Sequence, residues 1–153
     1  MKPGGGRMKG AAFEREVAAL LLDELGIKFK REIEQYRQSD LGDLRPVDCD
    51  NWPFVIECKR YASGKQAKDA WWEQACTAAR AADLLPCLIY KYDRSPIKCV
   101  VPIAAFAEMC EGTGAYDCKW KWKAELDFDV FCFITREMLC NASIGFIQRD
   151  RRV

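Results

Sequence analysis

Histidine is absent from the 153 residues of this chain. Without an imidazole there is no Ser/His/Asp triad, no histidine-bearing zinc deaminase centre, no histidine-metal nuclease and no imidazole general base. Any catalysis must run on carboxylates, amines or thiols. Charge of one sign is lacking too: 24 Lys and Arg face 23 Asp and Glu, for a net charge of +1. Affinity for a polyanion therefore has to come from local basic clusters, not from the overall field. No apolar run approaches the roughly 20 residues of a membrane span, and Met1 to Lys9 have no signal-peptide stretch. A cytoplasmic protein without membrane association is expected. The nine cysteines are odd in number and form no CxxC pair. Several, such as Cys58 and Cys132, sit inside apolar runs, where a reduced thiol packs as a small hydrophobe. Disulfide and zinc chemistry are set aside.

What is present is ordinary for a globular protein, with 50% hydrophobic and 31% charged residues. The length buries one core, so residues 1–153 read as a single domain. Its glycine-rich start, residues 1–8, reads as a loose lead-in, and residues 116–153 as a C-terminal elaboration. Phe13, Val17, Leu20, Leu21 and Leu25 recur at helical spacing and Gly26 follows as a stop, predicting a helix over Ala11 to Leu25. Lys28 to Arg37 is extended in character and leads into a loop at Gln38 to Gly42. Asp43 to Val47 and Pro53 to Tyr61 read as a strand pair, followed by a helix from about Gln66 to Ala82. Pro86 to Tyr92 and Ile97 to Val101 form a second hairpin, and Pro102 opens a short helix ending near Gly112. Toward the end, Lys119 to Lys123 alternates Lys with Trp as in a strand with core tryptophans. Phe128 to Ile134 reads as a strand, and Thr135 caps a short helix to Asn141. The order predicts a mixed α/β fold, one central sheet flanked by helices.

Chemistry concentrates in Phe54-Val55-Ile56-Glu57-Cys58-Lys59. A strand's period of two puts Glu57 and Lys59 on one side and Phe54, Ile56 and Cys58 on the other. An isolated acid-x-Lys is most simply a surface ion pair, but the preceding segment Gly42-Asp43-Leu44-Arg45-Pro46-Val47-Asp48 supplies a second carboxylate. If Asp43 lies against Glu57, the connection is Asp48 to Trp52, rich in turn-favouring residues. If Asp48 does, Trp52-Pro53 must make a tight corner without the Gly or Asn that short hairpins prefer. Asp43 ranks first and Asp48 stays a rival. Two converging carboxylates suit Mg²⁺ or Mn²⁺, hard cations that keep waters and accept phosphate oxygens. At about 100° per residue, Glu14 falls roughly 45° from the centre of the first helix's apolar stripe, against roughly 115° for Glu16. Glu14 is thus the better third acid, holding metal through water, or else an acid that merely borders a buried stripe. Lys9, Arg60, Lys65, Lys68, Lys91 and Arg94 could hold DNA phosphates, or be solvated surface charge.

These residues resemble the PD-(D/E)XK nuclease superfamily over roughly Lys9 to Val101. Lys9-Gly10 with Phe13-Glu14-Arg15-Glu16 looks like the opening of archaeal-type Holliday junction resolvases, and Ile56-Glu57-Cys58-Lys59-Arg60 like the acid-x-Lys strand. Trp71-Trp72-Glu73-Gln74-Ala75 resembles compact phage-type members, in which a helix Gln supports the site. The resemblance implies a restriction-endonuclease-like core and catalytic Glu14, Asp43, Glu57 and Lys59. It also implies Mg²⁺ held by Asp43, Glu57 and Glu14, with Gln74 in support and DNA as substrate. One departure is that Gly42, not proline, precedes Asp43. The expected activity is DNA endonuclease, structure-selective in the manner of junction resolvases, which would need a homodimer. The rivals are an exonuclease using the same site and a nucleic-acid-binding module without turnover.

Overall fold

The apolar spacing near the start becomes a helix longer than its stripe. In the computed structural model, which describes residues 5–33, 42–109 and 120–150, α1 runs Gly5–Leu25. Phe13, Val17 and Leu21, four apart, are completely buried. The extra turns begin inside the stretch read as a loose lead-in. Once a turn is nucleated, each further residue adds a hydrogen bond at little cost, so exposed Gly6, Met8 and Lys9 can be helical. Gly26 ends the helix at φ +69°, the left-handed conformation that glycine adopts without strain.

Six strands follow in chain order across one sheet: β1 (Phe29–Arg31), β2 (Leu44–Pro46), β3 (Phe54–Tyr61), β4 (Leu85–Tyr92), β5 (Lys98–Pro102) and β6 (Lys123–Asp127). Every neighbouring pair is antiparallel except β3 and β4, which run parallel. Parallel neighbours need a crossover, and α2 (Asp69–Ala82) supplies it. The remaining helices are α3 (Ala104–Met109) and α4 (Phe128–Asp150). The mixed α/β architecture expected from the sequence is thus the observed one. Among the described residues no helix is long and apolar enough to cross a membrane.

The alternation of β3 divides the core. Phe54, Ile56 and Cys58 pack with Phe13, Val17 and Leu21 of α1 and with Phe131 and Cys132 of α4. Val55 packs with Trp71, Trp72, Ala75 and Ala79 of α2 and with Leu88 and Tyr90 of β4. With both sides covered, the first five residues of β3 are buried, and Glu57 is held deep in the sheet on the α2 side.

The final third corrects the sequence reading. Phe128 to Ile134 is the start of α4, not a strand. Its Phe, Val and Ile residues carry strand propensity, but burial follows a helical stripe through Phe131, Cys132, Thr135 and Met138, and packing on the sheet overrides propensity. Thr135 is no cap; it sits within α4 and its hydroxyl donates to the Phe131 carbonyl at 2.8 Å. The Lys-Trp alternation is not a strand either. Trp120 is buried, its indole stacked beside Arg80, but Trp122 is 55% exposed, and β6 starts only at Lys123. Most of the predicted loop Gln38 to Gly42, the end of the short helix beyond Met109 and residues 116–119 lie outside the described residues.

Candidate active site

Asp43, Glu57 and Thr135 are the buried polar or charged side chains among the described residues. Thr135 satisfies itself within its helix, so the two carboxylates call for another account. An ionised carboxylate withdrawn from water costs several kcal/mol unless it is paired and hydrogen-bonded. Asp43 is hydrogen-bonded, and Glu57 is both paired and hydrogen-bonded.

Asp43 immediately precedes β2, and Leu44 pairs with Ile56 of β3. Its backbone amide donates to the Ile56 carbonyl at 2.7 Å. In return the Cys58 amide donates to Asp43 Oδ2 at 2.7 Å. Asp43 therefore grips β3 on either side of Glu57. Gly42 permits this close approach. It has φ +73°, and a Cβ there would stand 2.5 Å from the Ile56 carbonyl oxygen. Glycine thus stands before this acid because the backbone of β3 leaves no room for a side chain. Asp48, the rival acid, is exposed in the turn after β2. The structure brings Asp43, not Asp48, against the strand of Glu57.

Glu57 Oε1 receives Lys59 Nζ at 3.0 Å and Gln74 Nε2 at 2.5 Å. The shared face expected of Glu57 and Lys59 holds, and Gln74 reaches them from the exposed margin of α2. The lysine side chain is 20% exposed against 5% for the glutamate, so the pair meets solvent through its amine.

Glu14 is held by Arg31 of β1 at 2.6 Å, a partner that no local pattern in the sequence reveals. Its charge is nevertheless felt at Cys58, whose amide holds Asp43. The buried Cys58 thiol is pushed well above its ordinary pKa, first by burial and then by Asp43, Glu14 and Glu57. Charges from α1, the start of β2 and β3 thus act on one sulfur. Among the described residues no group of three His, Cys, Asp or Glu side chains is arranged to hold a metal ion. The donors on offer are the carboxylate oxygens of Asp43 and Glu57, which suit a hard divalent cation better than a metal needing nitrogen or sulfur ligands.

Three of the expected DNA-binding cations form one network with two acids. Asp93 receives Lys9 at 3.1 Å and Arg60 at 3.3 Å, while Glu16 receives Lys91 at 3.2 Å and Arg60 at 3.8 Å. The pairing with Lys9 and Arg60 holds the Asp93 carboxyl below the usual carboxylate range. Glu16, placed by helix geometry well off the apolar stripe of α1, is an anchor here. Its partners lie on β3 and β4, far away in sequence. Lys65 is exposed in the segment between β3 and α2, outside this network.

A family profile described as "Phage putative PDDEXK endonuclease" matches residues 5–139. No curated protein and no solved structure matches the chain.

Proposed function

The chain belongs to the phage PDDEXK endonuclease family, and from that premise we propose that it hydrolyses DNA phosphodiester bonds internally, with Asp43, Glu57 and Lys59 as its catalytic residues. The observation that carries this reading is the burial of Asp43, held by the Cys58 amide, and of Glu57, paired with Lys59, in a chain whose other described acids are not buried. Folding alone gives no reason to hold two carboxylates so far from water, and functional sites are where such costs are tolerated.

Asp43 and Glu57 would hold Mg²⁺ or Mn²⁺, with Glu14 contributing through water. Bound there, the cation supplies Lewis-acid polarisation of the phosphodiester and lowers the pKa of a coordinated water. Lys59 orients the attacking water and offsets negative charge that grows on the phosphoryl oxygens as the bond forms. Gln74, donating to Glu57 Oε1, fixes that carboxylate's rotamer. The Asp43 carboxylate is aimed by the Cys58 amide in the same manner. Arg60, Lys91, Lys9 and Lys65 contact phosphates farther along the strand and set register without reading sequence. Cleavage of a branched junction at two symmetric points requires two copies of this site, hence a homodimer.

Purified protein given Mg²⁺ or Mn²⁺ is expected to nick closed circular DNA and to lose that activity in excess EDTA. An exonuclease would degrade linear DNA and leave circles intact, and a binding module would shift DNA with no cleavage and no need of metal. A four-way junction cut at paired positions faster than linear duplex would establish structure selectivity.

A further inference from the structure

Tyr61 closes β3 two residues beyond Lys59, roughly 7 Å along the strand, on the same face as Glu57 and Lys59. A tyrosine at a strand end normally buries its ring and leaves only the hydroxyl wet. This one is 45% exposed. Its ring is also held flat: it stacks on Trp71 of α2 with centroids 4.9 Å apart and planes 16° from parallel. Trp71 is itself buried and wedged against Tyr90 and Tyr92, each at 6.0 Å. The Tyr92 hydroxyl is tied to the Gln66 carbonyl at 2.6 Å. Gly64 lies so close to the Tyr92 ring that a Cβ there would stand 2.1 Å from it. The support under Tyr61 is therefore rigid.

Nearly half of Tyr61 stays exposed despite the stack. Lys68 Nζ lies 5.0 Å from the Tyr61 centroid and 5.4 Å from that of Trp71, which with the stack spacing makes a nearly equilateral triangle. The amine thus sits beside the gap between the two rings. Centred over the far face of Tyr61 it would be much farther from the tryptophan. Among the described residues Trp71 is the one aromatic ring that meets Tyr61. The result is a flat, preorganised aromatic face with an exposed ammonium at its edge, beside the catalytic lysine.

We propose that Tyr61 is a stacking platform for an unpaired base next to the scissile phosphate, with Lys68 on the adjoining phosphate, so that the preferred DNA carries a single-stranded, flipped or terminal nucleotide at the cleavage point. A base inside an intact duplex has both faces covered by its neighbours; only one freed from the helix can lie on a protein ring. This inference rests on the nuclease reading, since it takes Lys59 to mark the scissile phosphate.

The test uses full-length protein with oligonucleotides carrying 2-aminopurine at successive positions of a single-stranded flap. The parent is expected to quench the probe at one position. Tyr61→Ser should abolish that quenching and weaken flap binding about tenfold or more, within the range that base stacking on aromatic side chains supports. Tyr61→Phe should restore both, which a hydroxyl-dependent role would not allow. Fully paired duplex should bind parent and Tyr61→Ser alike. Equal quenching and flap affinity in parent and Tyr61→Ser would overturn the proposal. Because binding is read without cleavage, Glu57→Ala separates the two claims. Lost cleavage with retained quenching supports both, whereas unimpaired cleavage by Glu57→Ala sinks the catalytic assignment and leaves the quenching result to judge Tyr61 alone.

Discussion

Glu57→Ala is expected to lower the rate of DNA cleavage on the order of 10³-fold or more while leaving the melting temperature unchanged or higher. The two effects have one cause. Glu57 sits 3% exposed in the middle of a sheet, where its charge costs folding energy that its partners only partly return. Removing it relieves that cost, and Lys59, whose side chain is 20% exposed, can turn its amine to water. Lys59→Ala should reduce cleavage roughly 10²–10³-fold yet move stability the other way. It strips the buried carboxylate of its ammonium partner at 3.0 Å and leaves Gln74 as the donor described beside it. The loss is about 1–2 kcal/mol, less than the ~3–5 kcal/mol of a fully buried pair because Lys59 retains contact with solvent. Lys59→Arg should recover most of that stability but little activity, since a planar guanidinium cannot reproduce the position of a single ammonium. Steady-state kinetics beside thermal unfolding of the three variants read out both effects. A purely structural ion pair predicts that activity falls only as far as the folded fraction does.

Asp43→Asn is expected to cost roughly 10²–10³-fold in cleavage, and Asp48→Asn nothing measurable. Asparagine at position 43 keeps an oxygen that can accept the Cys58 amide, now at 2.7 Å, so the strand pairing survives with a stability change near 1 kcal/mol. What disappears is the second negative charge that the proposed mechanism needs to hold the cation. Asp48 is exposed in the turn after β2, and surface changes of this kind usually stay within about 0.5 kcal/mol. If Asp48→Asn were the inactive variant, the grip of Asp43 on β3 would be a structural matter only.

Much of this was legible in the sequence, for reasons that differ by residue. The run Phe54 to Lys59 announces itself because a strand covered on both sides must be apolar, and two charged residues in it stand out against that demand. Asp43 could be ranked above Asp48 because turn preferences between paired strands constrain their register. Gln74 was readable as a polar residue among buried tryptophans on α2. What stayed hidden depends on distance along the chain. The pairing of Glu14 with Arg31, and of Glu16 with Lys91 and Arg60, joins residues whose meeting is decided by how α1 lies on the sheet. Phe128 to Ile134 misled because aromatic and β-branched residues fit a strand or a buried helix face equally well over so short a run. Gly42 read as a departure from the expected proline; the close approach to the Ile56 carbonyl, visible only in three dimensions, explains it. The exposed Tyr61 ring had no sequence signal, since its support comes from Trp71 on another element.

The central claim, that Asp43 and Glu57 together hold a divalent cation at which DNA is cut, is tested most directly by titrating Mn²⁺ into the protein and counting bound ions by electron paramagnetic resonance. The parent should bind Mn²⁺ at the same concentrations that activate cleavage, and the Asp43→Asn, Glu57→Gln double variant should lose both while remaining folded. A double variant that binds Mn²⁺ and cuts DNA like the parent would contradict the account.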